Sequence, residues 1–282
     1  MANNGVFHPS LLVGKEHSLE CFQSIGAREE QEDSYVAIKL SQGYLYAVAD
    51  GHFSSKVSDI VAANLQSAFL SAYDQEYRCA PYNLDPLQVV HSTFDYLQAL
   101  VADEQCGSTL SLAFVEHGLV DGRGATRVTT GQMGDSFVAI KPRCTPLIDV
   151  TDSHNVRDAQ ADLDLINKWA LDRYGADTIA TAVSGYLCSQ PRGSAIAITR
   201  SLGDRDFMLV REPAVKTHVY TSQEPLLLMI ASDGVLSPTA SRQAHIKSLI
   251  TRYVAGETLV SIVRSINPED NVTVIAVNIM GR

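Results

Sequence analysis

The chain has 282 residues, of which 45% are hydrophobic and 19% are charged, as in ordinary globular proteins. Its 32 Asp and Glu residues outnumber 22 Lys and Arg residues, giving a net charge of −10. An acidic surface repels nucleic-acid phosphates and anionic lipids, which argues against a nucleic-acid-binding or membrane-surface protein. No Pro-, Gly- or Ser-rich linker divides the sequence. We therefore predict a single domain over residues 1–282, and we expect a monomer.

The cysteines and the N-terminus bear on the compartment. Five cysteines are scattered without a Cys-x-x-Cys pair, which argues against a disulfide framework or a zinc–thiolate site. The N-terminal segment has no basic region followed by an apolar stretch, so no signal peptide is predicted. The apolar runs are shorter than the roughly 20 residues that span a bilayer. We expect a soluble, cytoplasmic protein.

Short segments rich in β-branched and apolar residues recur along the chain, each bounded by turn residues. They predict strands at residues 20–24, 33–40, 44–49, 109–116, 126–133, 136–141, 195–199, 226–232 and 271–278. Asp121-Gly122 predicts a hairpin turn, and Gly134-Asp135 predicts another.

Helical apolar spacing lies between these strands. It predicts helices over residues 57–73, 85–101, 158–174 and 241–266, the last one broken near Gly256. Asp85 and Pro86 suit the cap and first turn of the second helix, and Gly175 suits the end of the third. Grouped strands with helices inserted in pairs favour an α+β fold of antiparallel sheets covered by helices over a βαβ alternation.

Two apolar runs end on a carboxylate. YLYAVADGH ends on Asp50-Gly51-His52, and LLLMIASDG ends on Asp233-Gly234. A segment built for burial that ends on an acid suggests that the ends of two strands deliver carboxylates to a common place.

Other acids lie at predicted strand boundaries. These are Glu32 and Asp33 in the run EEQED, Asp135 in a turn, and Asp270 before the last strand. Clustered carboxylates do not all stay ionised unaided, and all-oxygen ligation selects Mg²⁺ or Mn²⁺ over Zn²⁺. The Gly51 carbonyl could join them, because glycine frees the backbone.

Each acid also has an ordinary interpretation. Asp-Gly is common turn chemistry, Glu32 and Asp33 could be a solvated pair, and Asp270 could simply precede a strand. Spacing and composition alone leave the metal site and these interpretations open.

Seven motifs occur in an order that resembles the metal-dependent protein phosphatase family, the type 2C serine/threonine phosphatases. The resemblance covers about residues 20–279. The motifs are GAREEQED (26–33), YAVADGH (46–52), CGSTLSLAFV (106–115), GQMGDS (131–136), ITRSLGD (198–204), ASDGV (231–235) and EDNVTVI (269–275).

The resemblance implies a four-layer α-β-β-α sandwich of two packed antiparallel sheets flanked by helices, with a dinuclear metal cleft at one end. Two Mg²⁺ or Mn²⁺ ions would be bridged by Asp50. Glu32 and the Gly51 carbonyl would complete one site, and Asp233 and Asp270 the other.

The resemblance also implies an activity on phosphorylated proteins. A metal-bridging hydroxide would attack the phosphorus of phosphoserine or phosphothreonine. Arg28 would bind the phosphate, His52 would protonate the leaving oxygen, and Asp33 would hold a metal-bound water or orient Arg28. Without the motif, Arg28 is an ordinary surface arginine and His52 a structural or exposed histidine.

The sequence departs from the family pattern in two places. Phe53 replaces the small residue that usually follows Asp-Gly-His, so we expect it to line or narrow the cleft. Ser237 replaces a second acid four residues after Asp233. Asp135 would be the other ligand of a third metal, so we expect that site to be weak or absent. Residues 151–194 take the place of the family's variable flap.

Two other functions remain open. One is a catalytically weak pseudophosphatase that serves as a binding or scaffold module. The other is a regulatory phosphatase of a partner-switch protein.

Overall fold

Two antiparallel sheets and five helices form the described part of the computed structural model, which comprises residues 7–9, 17–80, 84–146, 148–174, 185–188, 194–221, 225–236 and 241–280. The helices are α1 (Lys56–Cys79), α2 (Pro86–Val101), α3 (Gln160–Tyr174), α4 (Arg242–Val254) and α5 (Leu259–Ile266). None of the described helices is both long and apolar enough to cross a membrane.

The strands run in chain order as follows. They are β1 (Phe7–Pro9), β2 (His17–Ser24), β3 (Asp33–Lys39), β4 (Tyr44–His52), β5 (Gly107–Ser108), β6 (Leu110–Val120), β7 (Arg123–Met133), β8 (Phe137–Pro142), β9 (Asp149–Val150), β10 (Leu187–Cys188), β11 (Ala195–Ile196), β12 (Leu202–Gly203), β13 (Ala214–Thr221), β14 (Leu226–Ala231) and β15 (Val272–Ile279). The first sheet has the order β12-β5-β4-β6-β7-β13, with β3 paired to β4 and β1 to β6. The second has the order β2-β15-β14-β8-β9, and β10 pairs with β11.

Side-chain alternation along the strands builds the four predicted layers. Leu45 and Ala47 of β4 pack on α1 and α2. The residues that alternate with them, Tyr46 and Val48, point to the opposite face of the strand and pack against the second sheet. The outer face of the second sheet is covered in the same way by α4 and α5. The α+β architecture is therefore confirmed, with one apolar layer between the two sheets and another between each sheet and its helices.

The two turn predictions have different outcomes. Asp121 and Gly122 join β6 to β7, with Val120 opposite Arg123 and φ values of 51° and 72°, as a type I′ hairpin requires. The second prediction is wrong, because Gly134-Asp135 leads from β7 in the first sheet to β8 in the second. This segment is a crossing between sheets.

Several element boundaries differ from the predictions. Helix α1 continues to Cys79, the predicted strand 195–199 shortens to Ala195–Ile196, and β13 was not predicted at all. The cap of α2 is confirmed, since the Asp85 side chain accepts a hydrogen bond from the Leu87 N–H at 2.9 Å. The break at Gly256, with φ 99°, is also confirmed. Gly175 lies outside the described residues.

Candidate active site

The site begins where the apolar layer between the sheets ends. Asp50 follows Val48 on the face of β4 that meets the second sheet, and Asp33 stands directly opposite it on β3. From the facing sheet, the Ser232 hydroxyl donates a hydrogen bond to Asp33 Oδ2 at 2.8 Å. The prediction that Asp50 ends its strand is wrong, because β4 continues to His52. Asp50 is fixed inside a paired strand.

Five aspartates from distant parts of the chain converge here. Burial raises the pKa of Asp50 well above its usual value, and so do the charges of Asp33, Asp233, Asp135 and Asp270. The pKa of Asp233 is raised in the same way, by burial first. The Asp50 residue as a whole keeps a partly solvent-accessible surface, whereas its carboxyl group is densely surrounded by protein atoms. Sequence reasoning had named all five residues, and the structure brings them together.

Asp135 reaches this cluster from the crossing between the sheets. The Gln132 amide holds that crossing by donating to the carbonyl oxygens of Gly134, Ser136 and Asp152, at 3.1, 2.7 and 2.7 Å. Asp135 is buried and accepts a hydrogen bond from Asn155 Nδ2 at 2.9 Å. Burial is the main reason that its pKa is raised. Ser237, the other residue relevant to a third metal, lies outside the described residues.

Glu32 and Gly51 are held to each other through the backbone. The Gly51 N–H donates to the Glu32 carbonyl oxygen at 3.1 Å, and the Ser58 hydroxyl donates to the same oxygen. A Cβ atom on Gly51 would lie 2.6 Å from that oxygen, whereas its φ is not in the left-handed region. Glycine is therefore needed for this close approach and not for backbone freedom. Burial also raises the pKa of Glu32, and the charge of Arg28 opposes that change.

Arg28 and Asp270 form an ion pair at the rim, with a distance of 2.7 Å between Nη2 and Oδ2. Both side chains are about half exposed, at 52% and 43%. Asn271 holds the loop that carries Arg28, because its side-chain amide donates to the Ile25 and Glu30 carbonyl oxygens at 2.9 and 3.0 Å. Arg28 therefore lies beside one of the clustered acids.

His52 is paired with a residue that sequence reasoning did not assign. Its Nε2 lies 2.6 Å from Oδ2 of Asp204, which is completely buried. The Ser201 hydroxyl donates to the same oxygen, and Arg211 donates to the carbonyl oxygens of Ser201, Gly203 and Asp204. The only signal for Asp204 was its place at the end of ITRSLGD. This carboxylate orients the His52 ring.

Phe53 forms one wall of a cavity beside His52. Its φ of 65° is unusual for a bulky side chain, and the residue is 55% exposed. It meets His52 edge-on at 5.5 Å between ring centres and stacks on Phe207 at 6.2 Å. The cavity has a volume of about 500 Å³, and Cys106, Ser194 and Arg205 also line it. Of the flap-like segment 151–194, residues 175–184 and 189–193 lie outside the described residues.

The cluster does not have a formed metal-ligand geometry. Among the described residues, no three His, Cys, Asp or Glu side chains are arranged as metal ligands. The chemistry of the donors nevertheless fits a hard cation, because they are oxygen atoms only, and Oδ1 of Asp33 is buried without a hydrogen-bond partner. No ion pair to Lys or Arg in the described part of the chain involves Asp50 or Asp233.

Comparison with known proteins gives structural matches only. No protein-family model and no curated protein sequence matches this chain. Among solved structures, serine-threonine phosphatase 2C from Toxoplasma gondii superposes with a TM-score of 0.65 at 17% identity, covering 99% of this chain and 100% of that one. The fold is that of the type 2C protein phosphatases.

Two further structures share this phosphatase fold. The Mycobacterium tuberculosis serine/threonine phosphatase PstP/Ppp has a TM-score of 0.57 at 19% identity, covering 94% of this chain and 99% of that one. A C. elegans sex-determining protein has a TM-score of 0.66 at 18% identity. That match covers 94% of this chain and 65% of the other protein. The predicted fold of two antiparallel sheets flanked by helices is therefore confirmed in the described part of the chain, without the metal cleft, and the low identities carry no residue roles across.

Proposed function

We propose that this protein is a Mg²⁺- or Mn²⁺-dependent phosphatase that removes phosphate from phosphoserine and phosphothreonine in proteins. The observation that carries the proposal is the convergence of Asp50 with four other aspartates where the apolar layer between the sheets ends. Such a group of like charges is costly for the fold, and divalent cations relieve that cost. The type 2C phosphatase fold of the solved structures supports the same activity.

The ligands proposed for two cations all carry oxygen donors. Asp50 would be shared between the ions, with Glu32 and the Gly51 carbonyl on one side and Asp233 and Asp270 on the other. When bound, such ions supply Lewis acidity toward a phosphoryl oxygen and activate a water molecule as the nucleophile. Asp33 supports them from β3, held by its hydrogen bond from Ser232.

Arg28 is proposed to bind the substrate phosphate. Its guanidinium pairs with Asp270 through Nη2 and is half exposed, so its remaining N–H groups can reach a ligand at the rim. A planar guanidinium offers paired donors that match phosphate oxygens. When Asp270 is bound to a cation, the Arg28 charge is free for the phosphate.

His52 is proposed to donate a proton to the leaving serine or threonine oxygen. Asp204 accepts from Nε2, so Nδ1 is the ring nitrogen that remains for the substrate. A buried carboxylate on one nitrogen fixes the orientation of the imidazole, as in other acid–base pairs. In its protonated form the ring then offers the Nδ1 proton while Asp204 holds the other. Phe53, beside this ring, is expected to limit the protein segments that can enter.

The alternative is a fold that binds phosphoproteins without turnover. The Arg28–Asp270 ion pair favours it, because that pair engages a proposed metal ligand and the proposed phosphate-binding residue with each other. The two functions differ in whether the protein hydrolyses a phosphate ester through the aspartate cluster or only binds it.

Hydrolysis of an aryl phosphate with Mn²⁺ distinguishes them. We expect turnover that a chelator abolishes, and we expect Asp233→Asn to lower kcat/KM by at least about 100-fold. The matched control is Asp95→Asn, an exposed carboxylate on α2 outside the cluster, which should leave the rate unchanged. Turnover without metal, or full activity in the Asp233 variant, would contradict the proposal.

A further inference from the structure

Arg242, the first residue of α4, is a partly buried cation whose buried nitrogen atoms include unused hydrogen-bond donors. Its Nη1 donates to the Thr151 carbonyl oxygen at 3.0 Å, and its Cζ lies 5.8 Å from the centre of the Phe137 ring. Its Nε and Nη2 are buried without a hydrogen-bond partner. Unsatisfied buried donors are costly, so a guanidinium in this position calls for an explanation.

The ring that Arg242 covers lies at the edge of the acid cluster. Phe137 begins β8, two residues after Asp135, and it stands opposite Ala231, two residues before Asp233. The guanidinium therefore sits where the segments that carry these two acids meet. Burial lowers the pKa of Arg242, and the negative charge of Asp135 is the strongest of the charges that oppose that change.

The stability of helix α4 does not explain this arginine. A positive charge in the first turn of a helix opposes the helix dipole. The Ser241 side chain already caps the helix by accepting from the Ala244 N–H at 3.4 Å. Helix α4 therefore does not account for the positive charge at this position.

We propose that the Arg242 guanidinium is a built-in cation for Asp135 and keeps metal ions away from that carboxylate. The inference rests on the proposed function, because it concerns which acids of the cluster bind metal. A divalent ion at Asp135 would be repelled by the fixed positive charge of Arg242. Asn155 Nδ2 also donates a hydrogen bond to Oδ2 of Asp135, so the carboxylate has a second partner within the protein. The remaining acids, centred on Asp50, stay available for two ions.

The test measures bound Mn²⁺ by calorimetry and by metal analysis after equilibrium dialysis. We expect about two ions in the natural protein and in Arg242→Lys, which keeps the charge. Arg242→Gln should gain one further site, with affinity at Asp135 at least about tenfold tighter than in the natural protein. The double variant Arg242→Gln, Asp135→Asn should lose that site again. The matched control is Lys247→Gln, which removes an exposed positive charge elsewhere on α4. It should leave the number and affinity of bound Mn²⁺ ions unchanged.

Each outcome decides the inference. An unchanged Mn²⁺ count in Arg242→Gln, or three ions in the natural protein, would overturn it. If Arg242→Gln does not fold, Asp135→Asn alone should keep the natural count, and the loss of one ion there would refute the inference. If the natural protein binds no Mn²⁺ and hydrolyses no phosphate, the proposed function fails. The gain in Arg242→Gln relative to the natural protein still measures the role of Arg242.

Discussion

Two pairs of directly opposed residues in the first sheet show opposite electrostatic arrangements. On β6 and β7, Glu116 stands opposite Arg127, and two hydrogen bonds of 2.7 and 2.9 Å join them in a buried ion pair. On β3 and β4, Asp33 stands opposite Asp50, and no cation of the described chain pairs with Asp50. Opposite charges across strands stabilise a sheet, whereas like charges destabilise it.

The difference indicates which pair is structural. At Glu116 the opposite residue on the neighbouring strand is Arg127, a cation of the chain itself, so the pair needs no bound ion to balance its charge. At Asp50 it supplies another carboxylate in register and adds Asp135, Asp233 and Asp270. An arrangement that the fold alone does not stabilise is expected at a ligand site.

Breaking the satisfied pair should have the largest effect on stability. Glu116→Gln leaves Arg127 without its carboxylate in a buried place, and we expect the free energy of unfolding to fall by about 3–5 kcal/mol. Chemical denaturation measures this. Glu257→Gln, which breaks an exposed pair with Arg252, is the control and should lower the free energy of unfolding much less than Glu116→Gln does. A loss below about 1 kcal/mol in Glu116→Gln would remove the contrast between the two pairs.

A buried histidine beside the cluster should make the fold sensitive to acid. His154 Nδ1 accepts the Gly134 N–H at 3.2 Å, and burial lowers its pKa from 6.5 to about 4. Between these values the unfolded chain binds a proton that the folded protein does not. The contribution of His154 to the free energy of unfolding should therefore fall by about 3 kcal/mol as pH drops from 6.5 to 4.

His154→Gln isolates this contribution. The difference in free energy of unfolding between the natural protein and the variant should change across that pH range and stay constant above pH 7. A difference that does not depend on pH between 4 and 6.5 would show that His154 is not held neutral.

The exposed pair at the rim should matter least for stability. Arg28→Gln removes the contact with Asp270, and we expect a change below about 0.5 kcal/mol because both partners are half exposed. The same variant should raise KM for a phosphopeptide, since Arg28 is proposed to bind phosphate. A stability loss near that of Glu116→Gln, with KM unchanged, would make Arg28 structural.

Much of the fold could be predicted from local sequence patterns. The apolar run YLYAVA predicted β4, and Asp121-Gly122 predicted the hairpin between β6 and β7, because both signals are local. Strand β13 was missed because Lys216 and His218 interrupt its apolar pattern at a half-exposed edge of the sheet. Gly134-Asp135 was predicted to be a hairpin because turn residues do not reveal whether the next strand joins the same sheet.

At the candidate site, too, local sequence patterns revealed some residues, and contacts between distant parts of the chain hid others. Asp50 and Asp233 stood out because each follows an apolar run. Asp204 did not, since it lies 152 residues from His52 and only the folded chain brings them together. Arg242 was missed for a related reason, because a single arginine at a helix start gives no sign of the phenylalanine ring and acids around it.

Calorimetric titration of the metal-free protein with Mn²⁺ tests the central claim most directly. We predict saturable binding in the natural protein and in Asp95→Asn, and at least about tenfold weaker binding in Asp50→Asn, which removes the carboxylate shared by both proposed ions. Absence of saturable binding, or equal binding in the Asp50 variant, would contradict the account.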